Sequence, residues 1–106
     1  MSVDTLRRIV LVRHAKAEWG DNDHERPLAD RGRKDASAAG HWLAGAGITP
    51  DLALVTTAAR SRETWKLIVS ELAQRPETVY EDRLYEANLD ELIAVLNETS
   101  DDVNSL

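Results

Sequence analysis

The sequence contains no cysteine, which excludes disulfides and thiolate metal ligation and fits a reducing compartment. It has no apolar run near the roughly 20 residues a bilayer span needs. The opening residues, Met1 to Arg8, carry no apolar signal-peptide core, so a cytoplasmic location is the expectation, with no membrane partner. A basic excess is also missing: 13 Lys and Arg face 19 Asp and Glu, for a net charge of -6. That balance argues against nucleic-acid binding, which needs a broad basic patch. It leaves room for a small anion, because clustered arginines override the global field at short range. Neither Gly-x-Gly-x-x-Gly nor Gly-Lys-Ser/Thr occurs, which argues against a generic nucleotide-binding domain. No carboxylates fall at metal-ligand spacing, so no metal is expected. Repeats, low-complexity tracts and linkers are absent too.

What remains is a globular composition, 42% hydrophobic and 30% charged over 106 residues, expected to form one domain over 1–106. Ile9-Val10-Leu11-Val12 reads as a buried strand over 7–12. A long polar loop follows over 17–28, and loops of that length are often functional. Ala36, Ala39, Leu43 and Ala46 recur at helical spacing, predicting a helix over 32–46 with Asp30 as its cap. Leu52-Ala53-Leu54-Val55 predicts a second strand, 59–73 a second helix and Val79-Tyr80 a short strand. A third helix is expected to start at Asp90 as N-cap and end near Thr99. The alternation implies an α/β fold with mainly parallel strands.

The chemistry-bearing residues fall at strand ends, where ligands of open α/β sheets bind. Arg13-His14 follows the first apolar run at once. Arg60 falls in the first turn of the second helix, where free backbone N–H groups also favour an anion. Were the two strands neighbours, Arg13, His14 and Arg60 would converge. Two guanidiniums would hold phosphate oxygens and the imidazole would act as nucleophile.

These segments resemble the histidine phosphatase superfamily, which includes the phosphoglycerate mutases, and within it the small SixA-like phosphohistidine phosphatases. Leu11-Val12-Arg13-His14-Ala15 matches the strand-then-Arg-His-Gly signature. Arg26-Pro27-Leu28-Ala29-Asp30-Arg31-Gly32 matches Arg-Pro-Leu-Thr-x-x-Gly. Thr56 to Thr64 matches Ser-x-x-x-Arg-x-x-Gln-Thr, and Leu84-Tyr85-Glu86-Ala87 resembles the segment before the third helix. The resemblance implies a three-layer α/β/α sandwich. It makes His14 the nucleophile and Arg13, Arg60 and Arg26 phosphate ligands, with Glu86 as the candidate proton donor. It implies no metal and no cofactor. The partner would be a phosphorylated protein, phosphohistidine above all, or a small phosphate ester. The alternatives are a small-molecule phosphomonoesterase of the same superfamily and a non-catalytic phosphate-binding regulatory module.

Departures from the pattern are Ala15 for Gly, Ala29 for Thr (with Asp30 expected to take over the capping) and Glu63 for Gln. The family pattern also continues into a further strand and a Gly-His segment beyond the third helix. Leu106 stands where that strand would begin. The expectation is a domain truncated at its C-terminus, the alternative being loss of part of the site. A missing central strand would leave an open sheet edge and favour self-association. His24, His41 and Arg62 read as surface residues, Trp42 and Trp65 as packing residues, and Trp19 as a candidate pocket wall.

Overall fold

The computed structural model describes residues 8–14, 17–20 and 22–106. Ala15, which stands at the signature's glycine, lies outside them. Three helices and one parallel ladder are observed among the described residues: α1 (Asp30–Gly45), β1 (Leu52–Val55), α2 (Ala59–Val69), β2 (Glu77–Tyr80) and α3 (Leu89–Asn97). Short 3-10 turns at Asp23–Glu25 and Asp82–Leu84 precede α1 and α3. Strands β1 and β2 pair in parallel from Leu52 opposite Glu77 to Val55 opposite Tyr80, as a strand–helix–strand unit requires. Leu43, Thr64, Trp65 and Ile68 of α1 and α2 line a cavity beside this sheet, and Leu92 and Leu96 of α3 line it with them.

The α1–α2 contact rests on small side chains. Gly32, Ala36, Gly40 and Leu43 form the buried face of α1, and Arg60, Thr64 and Ile68 that of α2. The three- and four-residue steps place each set on one side of its helix. A Cβ on Gly40 would lie 2.7 Å from the Ile68 carbonyl oxygen, so glycine sets how closely the helices approach. Trp42 stands one residue off this face and is 66% exposed, contrary to the packing role expected of it. Trp65 does pack, and its Nε1–H donates to Thr78 Oγ1 at 3.0 Å.

Both helix caps differ from expectation. Helix α1 starts at Asp30 with Ala29 as N-cap and no side-chain cap, because the Asp30 carboxylate pairs with Arg33 Nη1 at 2.8 Å one turn on. Helix α3 is capped by Asn88, not Asp90: Asn88 Oδ1 accepts from Glu91 N, and Glu91 Oε1 accepts from Asn88 N. The Asn-x-x-Glu spacing is a capping-box signature. Helix α2 is shorter than the expected 59–73, ending at Val69 with Ser70 as its C-cap.

The expected first strand is the main correction. Arg8 forms an isolated parallel bridge with Ser105, and 9–14 join no ladder. Arg8 N donates to Asn104 O at 2.7 Å, Leu106 N to Arg8 O at 2.9 Å, and Val10 N to Leu106 O at 2.7 Å. On the other side, Asp51 N donates to Ser105 O at 2.8 Å. Residues 104–106 are therefore seated between the 8–10 segment and the start of β1. Ahead of them, a cavity of ≈ 570 Å³ separates Ile9–His14 from Leu52–Val55. Ile9, Leu11 and Val12 are exposed rather than buried, because among the described residues no strand pairs with the apolar run along that stretch.

Candidate active site

At its carboxyl end, β1 passes through Thr56, Thr57 and Ala58 into the first turn of α2. Arg13 and His14 share the wall of the ≈ 570 Å³ cavity with Thr56 and Ser61, which bracket Arg60 in sequence. The Thr56 hydroxyl is buried without a hydrogen-bond partner among the described residues.

Arg60 is buried, with its two terminal nitrogens taken by a single residue. Nη1 donates to the Asp23 carbonyl oxygen at 2.6 Å and Nη2 to Asp23 Oδ2 at 3.2 Å. Its Nε–H is buried with no partner among the described residues. Arg26 meets the same carboxylate, donating from Nη2 to Asp23 Oδ1 at 2.7 Å, and reaches the Glu18 carbonyl oxygen with Nη1 at 3.4 Å. The Tyr85 hydroxyl donates to Asp23 Oδ2, and the Tyr85 ring lies 5.9 Å from the Arg60 guanidinium carbon. The hydrogen bond from Tyr85 does most to hold the Asp23 carboxyl down, from 3.8 to about 2. Burial pushes the other way, and Arg26 and Arg60 add to the lowering. That same bond, with burial, raises the Tyr85 phenol above its ordinary value.

A second set of bonds ties this cluster to the loop after β1. His24 Nε2 lies 2.9 Å from Thr57 Oγ1, and the Thr57 hydroxyl donates onward to Asp82. Nε2–H is therefore the donor in the first bond. The His24 ring packs edge-on against Tyr85 at 4.9 Å between centroids. His24 is thus a structural node rather than the inert surface residue expected from sequence. Asp23, Thr57 and Tyr85 were likewise not singled out as site residues. Tyr85 and Thr57 fall inside quoted motifs, the segment before α3 and the 56–64 segment, and Asp23 falls only in the long polar loop.

The remaining expectations separate clearly. Arg26 and Arg60 come together on Asp23, and Arg13 and His14 flank the cavity with Thr56. Glu86 is exposed in the turn directly after Tyr85 with a φ of 53°, a backbone conformation that favours glycine. Trp19 is 94% exposed and walls nothing, while His41 and Arg62 are exposed as expected. Among the described residues, no group of three His, Cys, Asp or Glu side chains is placed to hold a metal ion.

Residues 9–101 match the family model of the histidine phosphatase superfamily (branch 1). An uncharacterized protein of Mycobacterium tuberculosis is 37% identical over 97 residues, covering 90% of this chain and 59% of that protein. Among solved structures, a chain from Nakamurella multipartitia designated phosphohistidine phosphatase SixA superposes with a TM-score of 0.84 at 35% identity, over 93% of this chain and 55% of that one. Its counterpart from Agrobacterium tumefaciens gives 0.85 at 32% identity, over 92% of this chain and 64% of that one. This chain therefore spans only part of the length of these relatives. It belongs to the histidine phosphatase superfamily and has the SixA-like α/β fold.

Proposed function

We propose that this superfamily member is a cytoplasmic phosphatase that hydrolyses phosphohistidine on proteins through a phosphohistidine intermediate at His14, with no metal ion or cofactor. A ring nitrogen of His14 attacks phosphorus in line as the bond from phosphorus to the substrate imidazole nitrogen breaks. Water then attacks the phosphorus of the His14 adduct, giving inorganic phosphate and returning His14 to its starting state. Arg13, Arg60 and Arg26 carry the charge of the equatorial oxygens, which is the main catalytic demand of phosphoryl transfer. Glu86 is the carboxyl assigned to protonating the leaving group. A phosphohistidine substrate asks little of it, because protonated imidazole departs readily.

The observation that carries the phosphate reading is the buried Nε–H of Arg60, without a partner among the described residues, at the first turn of α2. Leaving such a donor unmet costs about 1–3 kcal/mol, a cost that a phosphoryl oxygen offsets on binding. The SixA designation of two relatives above 30% identity supports the choice of substrate. Among the described residues, no helix is long and apolar enough to cross a membrane.

The test is intact mass spectrometry at neutral pH after brief exposure to phosphoramidate, with hydrolysis of a phosphohistidine peptide followed in parallel. The expected result is one acid-labile phosphoryl group on the native chain and none on His14→Ala. Near-native hydrolysis by His14→Ala overturns the assignment of the nucleophile. Faster turnover of sugar phosphates than of the peptide overturns the assignment of substrate.

A further inference from the structure

We infer that Asp23 is the positioning residue of the phosphate site: it grips Arg60 with its carbonyl and carboxylate oxygens, turns the Nε–H edge toward the phosphoryl group, and draws Arg26 to the same place. This inference rests on the reading of Arg60 as a phosphate ligand.

The geometry singles out Asp23 among the carboxylates. Arg60 has five N–H donors, and both of its terminal nitrogens bond to this one residue, at 2.6 Å to the carbonyl and 3.2 Å to Oδ2. A guanidinium is planar, so fixing both Nη atoms fixes the direction of Nε–H. The grip is itself braced. Asp23 Oδ2 also accepts from Tyr85, and Oδ1 accepts from Arg26 Nη2 at 2.7 Å. Tyr85 in turn packs against His24, which is anchored to Thr57 at the carboxyl end of β1. Three separate segments thus converge on one carboxylate: the loop before α1, the start of α2 and the turn before α3.

Charge does not make Asp23 a rival to the phosphate. Among Asp23, Arg26 and Arg60, two positive charges face one negative charge, which leaves the three groups net positive. The alternative arrangement, a carboxylate occupying the phosphate's own place, predicts the opposite response to its removal.

The test uses Asp23→Asn and Asp23→Ala, each with and without Arg60→Ala, and two readouts. The first is the 15N-resolved Nε–H resonance of Arg60 in the unliganded protein. It is expected as a distinct, exchange-protected signal in the native chain and merged with the exposed arginines in Asp23→Ala. An unchanged resonance in Asp23→Ala overturns the inference, whether or not the protein binds phosphate. The second is orthovanadate affinity by calorimetry, expected to weaken about ten- to a hundredfold in Asp23→Asn, as for loss of a charge-assisted bond. In the Arg60→Ala background, Asp23→Ala is expected to cause a smaller loss than in the native background, the remainder being the share that acts through Arg26. Additive losses, or tighter vanadate binding by Asp23→Asn, overturn the inference. A native chain that binds no vanadate but keeps the protected Arg60 signal overturns the phosphate reading and leaves the grip itself supported.

Discussion

The main-chain N–H of Leu28 donates to Glu63 Oε1 at 2.8 Å, tying the loop before α1 to α2. Leu28 is completely buried, so that N–H has no recourse to water. The other oxygen, Glu63 Oε2, accepts from Arg33 Nε at 2.9 Å. The superfamily pattern has Gln where this chain has Glu63, and an amide oxygen can serve Leu28 equally well.

Glu63→Gln is therefore expected to keep the Leu28 bond, lose only the partly exposed pair with Arg33, and melt close to the native chain. Glu63→Ala strands a buried N–H and is expected to cost about 1–3 kcal/mol. Chemical denaturation of the two variants checks this; equal losses would remove Leu28 as the cause.

Gly40→Ala is expected to destabilise the chain by about 1–3 kcal/mol through overpacking. The added Cβ meets backbone, at 2.7 Å from Ile68 O and 2.8 Å from Ile68 Cα, and neither can rotate away. Gly45 has open space around a Cβ, so Gly45→Ala is the control expected to be neutral or stabilising. The melting temperatures of the pair give the answer.

Acid should loosen the loop before α1. Asp23 titrates at about 2 when folded against an ordinary 3.8. A depressed carboxyl stabilises the fold above its unfolded value, and that contribution is lost as pH falls through the folded one. The melting-temperature gap between the native chain and Asp23→Asn is expected to hold steady above 3.8 and close toward 2. A gap that stays constant down to pH 2 would show that the carboxylate contributes nothing to the fold.

Arg60→Lys is expected to behave nearly as badly as Arg60→Ala in vanadate binding and peptide hydrolysis. An ammonium group cannot span the Asp23 carbonyl and carboxylate while offering a further fixed donor. Recovery of native affinity in Arg60→Lys would mean that charge alone suffices.

The exposed run Ile9, Leu11 and Val12 lies along an apolar cavity, and an exposed apolar segment of this kind favours association with other chains. Sedimentation velocity of the 106-residue chain is expected to show mass rising with concentration. Leu11→Lys, at a position 75% exposed, should suppress that rise. A monomer throughout the range contradicts the expectation.

Much of this architecture is legible in sequence. The spacing of Ala36 and Leu43 marks the buried face of α1, Leu52 to Val55 form the strand expected of them, and Arg60 falls in the first turn of α2. These are local properties, set by periodicity and by which residues can start or end a helix. The four motifs also carry the resemblance to the superfamily to which the chain belongs, and with it the roles expected of His14, Arg13, Arg26 and Arg60.

What sequence alone determined was therefore the order of elements from α1 onward and the identity of the charged residues. Tertiary structure decided how those charges are held. Asp23 and Arg60 are 37 residues apart and Asp23 and Tyr85 are 62 apart, distances at which no local pattern links a carboxylate to its partners. The same holds for the apolar run at Ile9. Its composition fits a buried strand, but burial requires neighbours on both edges, and chain packing settles whether they are there. Hydrophobic periodicity reports what a segment can bury, while contacts formed across the fold determine what it does bury and which arginine is aimed by which acid.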